Sequence, residues 1–160
     1  MVKEKIPTTP AILALKAAAV NFTLHPYTYE EKGGTRVSAQ KLGEDEHCVI
    51  KTLVMEDENA RPLIILMHGD KEVSTKGLAR ALGVKSITPC KPEVAHRHTG
   101  YLVGGTSPFG MKKSLPVYME ESIADLPEIL INAGARGLLA KMKPSELTRF
   151  LEPGLVTVAI

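Results

Sequence analysis

Two apolar runs with a short polar step between them set the first constraint on this chain. Residues 49–56 and 62–68 are rich in Val, Ile, Leu and Met. Asp57-Glu58-Asn59-Ala60-Arg61 separates them. A parallel pair needs a crossover of about a dozen residues or more. The two runs are therefore expected to form an antiparallel hairpin closed by residues 57–61.

The flanking segments are short and mixed. Thr9-Pro10 marks a helix start, with threonine as cap and proline in the first turn. Residues 22–29 alternate loosely and read as a strand that Pro26 places near an edge. Residues 30–35 read as a polar loop and 38–42 as a short helix stopped by Gly43. Ser74 is expected to cap a helix over 75–82 that ends at Gly83, and Pro92 opens another that ends at Gly100. Strands are expected near 101–103, 116–119 and 129–132, then a helix from Ser145 and a last strand over 155–160. Strands and helices do not alternate strictly, which favours an α/β (α+β) fold with a mixed sheet over a doubly wound parallel one.

Length and composition exclude several classes. With 160 residues, 44% hydrophobic and 24% charged, the chain is expected to be one domain, 1–160, with a packed core. Cys48 and Cys90 do not make a disulfide framework. No apolar run reaches the roughly 18–20 residues of a membrane span. Met1-Val2-Lys3-Glu4-Lys5 is charged and is not followed by the apolar stretch of a signal peptide. A cytoplasmic location with no membrane partner is expected. The net charge of +2 is a mild bias, compatible with gripping only one end of an RNA.

Chemistry concentrates in two places. Residues 100–113 hold four glycines and Pro108, followed by Lys112 and Lys113. Such a loop can aim N–H groups at an oxyanion, carboxylate or phosphate. Its G-x-x-x-x-G spacing from Gly105 to Gly110 imitates a phosphate loop, but Met111 stands where the lysine belongs and Pro116 prevents the following helix. Lys51 is the second place, a lone lysine between Val49-Ile50 and Leu53-Val54. It either faces water from an edge or aims a cation at a phosphate or reacting carbonyl.

Other groups are less directive. His96 and His98, with Cys90 upstream, lie in a segment read as helical, where i and i+2 do not share a face. No metal and no cofactor are expected. No serine or cysteine has a nucleophile-elbow context. Tyr27 or Tyr29 can line a pocket or simply bury a ring with its hydroxyl at the rim.

The ordered runs Lys51-Thr52-Leu53, Gly77-Leu78-Ala79-Arg80-Ala81-Leu82-Gly83, Thr99-Gly100-Tyr101-Leu102-Val103-Gly104-Gly105 with Ser107-Pro108, and Arg136-Gly137-Leu138 resemble the YbaK/EbsC family of aminoacyl-tRNA deacylases. That family includes Cys-tRNA(Pro) deacylases and the editing domain of bacterial prolyl-tRNA synthetases. The resemblance implies a curved, barrel-like mixed sheet with helices outside it. It implies trans-editing of a mischarged tRNA, Cys-tRNA(Pro) or another small amino acid on tRNA(Pro), with prolyl-tRNA synthetase as a further partner. It gives Lys51 the principal functional side chain. It makes Gly104 and Gly105 the catalytic loop, and Tyr27, Thr106, Ser107, Pro108 and Asn132 the substrate lining. Members acting on cysteine carry a serine and an aspartate in the segment matching 131–139, and a phenylalanine after the first strand. This chain has Asn132, Leu139 and Gly33-Gly34 there. The same loop would also suit a non-catalytic module that holds an aminoacyl-tRNA end, a nucleotide or a protein.

Overall fold

The computed structural model describes residues 6–160, so the charged N-terminus, residues 1–5, lies outside it. Eight strands form one mixed sheet: β1 (Thr23–Pro26), β2 (Val49–Asp57), β3 (Pro62–His68), β4 (Ile87–Pro89), β5 (Val117–Glu120), β6 (Ile129–Ala135), β7 (Leu138–Met142) and β8 (Gly154–Val156). The helices are α1 (Pro10–Ala17), α2 (Gly34–Leu42), α3 (Thr75–Leu82), α4 (Pro92–Thr99) and α5 (Pro144–Leu151). The sheet runs β1-β7-β6-β2-β3-β5-β8, with β4 on β2 outside that path.

The predicted hairpin is the centre. β2 and β3 pair antiparallel from Ile50↔His68 to Glu56↔Pro62. Asp57 closes the turn, accepting from Asn59 N at 2.8 Å, Arg61 N at 3.0 Å and Arg61 Nε at 3.0 Å. The helix caps also follow from local sequence: Thr9 accepts from Ile12 N, and Ser74 from Gly77 N. Gly43, Gly83 and Gly100 end their helices in the left-handed conformation.

Several boundaries differ from the sequence reading. β1 is shorter than 22–29 and lies at the end of the sheet, pairing with β7. α2 begins at Gly34, so part of the expected polar loop is helical. Residues 101–103 are not a strand: Tyr101 is buried while Leu102 and Val103 stand 55% and 49% exposed. β4 and β7 were not anticipated. β4 is only three residues long, and β7 reads Leu-Leu-Ala-Lys-Met, without the β-branched residues that mark a strand. The final strand stops at Val156, and Ala159 makes only an isolated bridge to Val73.

The two faces of the sheet are covered differently. One carries the main core, where Ile50, Ile64, Leu66, Met119, Ile129 and Ile131 pack with Phe109 and α1. The other carries two smaller cores. Met55, Leu63, Ile65 and Met67 lie under Leu78 and Ala79 of α3. Val49, Leu130 and Leu139 lie under Ala39 of α2. Side chains alternate along a strand, so Lys51 falls on this second face, between Val49 of one small core and Leu53 of the other. Among the described residues no helix is long and apolar enough to cross a membrane.

Candidate functional site

The sheet forks beside Lys51. On one edge of β2, parallel β6 pairs only with Val49 and Ile50, and antiparallel β4 joins at Met55. Among the described residues no strand covers the edge between. Ile50 pairs with Ile131, so Lys51 and Asn132 come next on their strands with side chains on the same face. Lys51 is half-buried, and its Nζ donates to Lys71 O at 2.8 Å. It has no carboxylate partner among the described residues. It is thus a cation at the seam of two small cores, held by a neutral carbonyl that an anionic ligand can replace.

The glycine loop is fixed at the other side of the fork. Asn132 Nδ2 donates to Gly104 O and to Ala135 O, both at 3.1 Å, and its Oδ1 accepts from Gly134 N at 2.7 Å. Both amide hydrogens and the carbonyl are committed, so Asn132 positions the loop. Arg136 Nε donates to Val103 O at 2.9 Å while its guanidinium lies 5.3 Å from the centre of the Tyr29 ring. Gly105 N closes the turn on Leu102 O at 2.8 Å. This N–H is therefore used internally.

Two glycines are required by contact. Gly104 has φ of 89°, and a Cβ there would lie 2.6 Å from Tyr29 Oη. A Cβ on Gly105 would meet Arg136 N at 2.9 Å and Ala135 C at 3.0 Å, which are backbone atoms that cannot step aside. Gly104 N and Thr106 N have no partner among the described residues. They are two of the loop donors open to a carbonyl oxygen or carboxylate; Leu102 N, Val103 N and Ser107 N also lack a partner among the described residues.

The remaining candidates separate. Thr106 is half-buried, and its hydroxyl reaches Leu102 O at 3.4 Å. Ser107 and Pro108 are buried, and Ser107 Oγ accepts from Phe109 N at 3.2 Å. The Ser107 side chain thus builds the turn. Tyr27 packs with Leu42 in the small core under α2. Burial raises its phenol pKa, and the neighbouring Tyr29 adds to this, while Ser38 and Gly137 bonds oppose it. Of the two tyrosines, Tyr29 touches Gly104. Tyr29 and Arg136 are the residues that sequence reasoning did not assign to the loop; the Arg136-Gly137-Leu138 step was the available signal.

The structure also forms a serine–histidine pair that the sequence hid. Ser122 Oγ lies 2.7 Å from His68 Nε2, and His68 Nδ1 lies 2.8 Å from His47 O. A carbonyl only accepts, so Nδ1 carries the proton and Ser122 donates to Nε2. His68 is 1% exposed, stacks on His47 at 3.8 Å, and has no carboxylate behind it among the described residues. The pair ties the 3-10 turn Glu121–Asp125 to β3. His96 and His98 sit on α4, and among the described residues no group of three His, Cys, Asp or Glu is placed to hold a metal. Burial raises both thiols: Cys48, where acidic neighbours add to it, and Cys90, pushed up to about 11 with help from Glu56. Neither is a ready thiolate at neutral pH.

Comparison with known proteins follows the same lines. The family described as "Aminoacyl-tRNA editing domain" matches residues 30–150. The chain is 33% identical over 109 residues to the Enterococcus faecalis protein named "Putative Cys-tRNA(Pro)/Cys-tRNA(Cys) deacylase EbsC". That match covers 68% of this chain and 66% of the relative, just under two thirds of its length. It is 30% identical over 110 residues to a proline–tRNA ligase of Thermodesulfovibrio yellowstonii, covering 69% of this chain and 18% of the ligase. A solved structure described as "a putative trans-editing enzyme for prolyl tRNA synthetase" superposes with a TM-score of 0.83 at 21% identity, covering 97% of this chain and 99% of that one.

Proposed function

The chain belongs to the aminoacyl-tRNA editing domain family, and from that premise we propose that it is a deacylase that clears a wrong small amino acid from tRNA(Pro). Its work is then in the cytoplasm, beside prolyl-tRNA synthetase, as one domain spanning 1–160. The need is physical. A synthetase pocket cannot reject a side chain no larger than the right one by enough, because a methylene is worth only about 1–3 kcal/mol. A second site that cleaves the product corrects the error.

One observation carries the reading. Lys51, with no carboxylate partner among the described residues, and Asn132, which holds the glycine loop, directly follow the paired Ile50 and Ile131 on neighbouring strands. In the proposed reaction Lys51 leaves Lys71 O to hold the terminal phosphate or ester. Gly104 N and Thr106 N take the charge that develops on the carbonyl oxygen. Gly105 and Asn132 hold this loop in place. The raised thiols Cys48 and Cys90 leave the nucleophile to the substrate or to water.

With cysteine as the bound residue, its sulfur attacks the ester carbonyl, the tRNA oxygen leaves with the thiol proton, and a cyclic thiolactone forms that water opens. With alanine, water attacks directly. The serine and aspartate positions of cysteine-directed members are here Asn132 and Leu139, which stand opposite each other on β6 and β7. Leu139 is buried. This single altered patch favours a substrate without a polar side chain. Purified protein incubated with Cys-, Ala-, Ser- and Pro-charged tRNA(Pro) tests the reading: one or more of the three wrong amino acids is released and proline is spared.

A further inference from the structure

Flanking the fork, α3 and the segment leading into β4 enclose an open groove of about 520 Å³. Lys76, Arg80 and Lys85 line it together with the hydroxyl residues Thr75 and Ser86. All three cations are exposed, and none pairs with a carboxylate among the described residues. The chain as a whole carries only +2, so this is a local concentration of charge.

Lys76 works against its own helix, although Arg80, in the last turn, does not. Lys76 and Arg80 are like charges at i and i+4, which repel on one face. Lys76 also stands in the first turn of α3, where no acidic residue offsets it and the helix dipole disfavours a cation. An anion laid along the groove removes both penalties. Of the carboxylates nearby, Glu58 Oε1 accepts from Lys85 N at 3.1 Å, and Asp57, across the ladder from the lining residue Ile87, is paired with Arg61.

The lining also says what kind of anion fits. Lysine, arginine and hydroxyl groups donate to phosphate oxygens, and no aromatic ring is present to stack a base. The groove is therefore suited to a sugar–phosphate backbone. Its position fits as well. α3 also buries Leu78 in the small core next to Lys51, and Ala79 joins that core while lining the groove. Lys71, whose carbonyl holds Lys51 Nζ, is four residues before Thr75, a span of at most about 14 Å.

We propose that the Lys76–Arg80–Lys85 groove binds the acceptor-stem phosphates of the tRNA whose 3′ end enters the Lys51 site. The proposal rests on the deacylase reading for the identity of the RNA. The test compares the wild type with Lys76→Glu/Arg80→Glu on full-length charged tRNA(Pro) and on a charged 3′-terminal CCA fragment. The expected result is a KM for tRNA raised at least about tenfold, an unchanged kcat, and unchanged cleavage of the fragment. The salt dependence of log kcat/KM should flatten by about two. A thermal melt checks the fold, and Lys76→Ala/Arg80→Ala gives the same trend more weakly should the double glutamate not fold. Binding of uncharged tRNA, read by fluorescence anisotropy, separates the two hypotheses. A protein that cleaves nothing, yet whose tRNA affinity falls about tenfold in the variant, keeps the groove and loses the deacylase. Unchanged affinity, or equal losses on tRNA and fragment, overturns the groove.

Discussion

Asn132 Nδ2 donates to Gly104 O at 3.1 Å, so a side chain at the splayed end of β6 holds the backbone of the site loop. The same amide bonds Ala135 O and Gly134 N, at the irregular step in β6 pairing between Asn132 and Ala135. Strand irregularity and loop position are thus one feature.

Asn132→Ala should therefore damage activity more than stability. Three bonds are lost at a part-exposed site, a cost of about 1–3 kcal/mol and a fall in Tm of roughly 2–10 °C. Displacing the loop by even about 1 Å can cost on the order of a hundredfold in rate. Deacylation rate beside a melt checks this. Full activity in the variant removes Asn132 from the positioning of the loop.

Lys51→Ala should lower kcat/KM about a hundredfold or more, as loss of one group that stabilises developing charge commonly does. Its bond to Lys71 O is exposed, so the melt should move by no more than a few degrees. Lys51→Arg retains the charge but not the ammonium geometry and should recover only part of the rate. A folded alanine variant with most of its activity contradicts the assignment.

How far the chain could be read from sequence depends on whether each signal is local. The Thr9 and Ser74 caps, the closing glycines and the central hairpin are local, and they were legible. β4 was not, because it is defined by pairing with β2, distant in sequence; β7 follows β6 through the tight Arg136-Gly137 turn, but Leu-Leu-Ala-Lys-Met lacks the β-branched residues that mark a strand. Leu102 and Val103 look like strand residues but are exposed on the loop. In the site, Lys51 and the glycine pair stood out by residue type. The contact of Tyr29 with Gly104, the Arg136 bond to Val103 and the commitment of Asn132 depend on tertiary approach. Composition could not show them, nor could it show that Ser107 is turned into the core.

Cys48→Ala and Cys90→Ala should leave deacylation within about twofold of the wild type. Burial raises both thiols, Cys90 to about 11, so neither supplies thiolate at neutral pH. Iodoacetamide at pH 7 should label both slowly in the folded protein. Loss of activity in either folded variant would show that the enzyme provides a thiol.

Asp57 gives a stability contribution with a defined acid limit. The Arg61 backbone N–H lowers its pKa below the ordinary 3.8; burial opposes this, and the Asn59 N–H and Arg61 charge reinforce it. A depressed carboxylate stabilises the fold above its unfolded pKa, and the contribution is lost as pH falls through the lower folded value. Asp57→Asn should be less stable than the wild type at pH 7, and the difference should shrink below pH 3.8. Chemical denaturation at both pH values measures it. A constant difference across that range would assign the effect to shape and not to charge.

In the proposed reaction Lys51 and the Gly104–Thr106 loop together cleave an aminoacyl ester. Initial rates of amino-acid release from Cys-, Ala-, Ser- and Pro-charged tRNA(Pro), at equal concentration and with Lys51→Ala in parallel, test it most directly. The expected result is rapid release of at least one wrong amino acid, with alanine favoured by the Asn132–Leu139 patch, little release of proline, and near-background rates in the variant. Release no faster than spontaneous hydrolysis for every charged tRNA, from folded wild-type protein, would contradict it and leave a module that binds without cleaving.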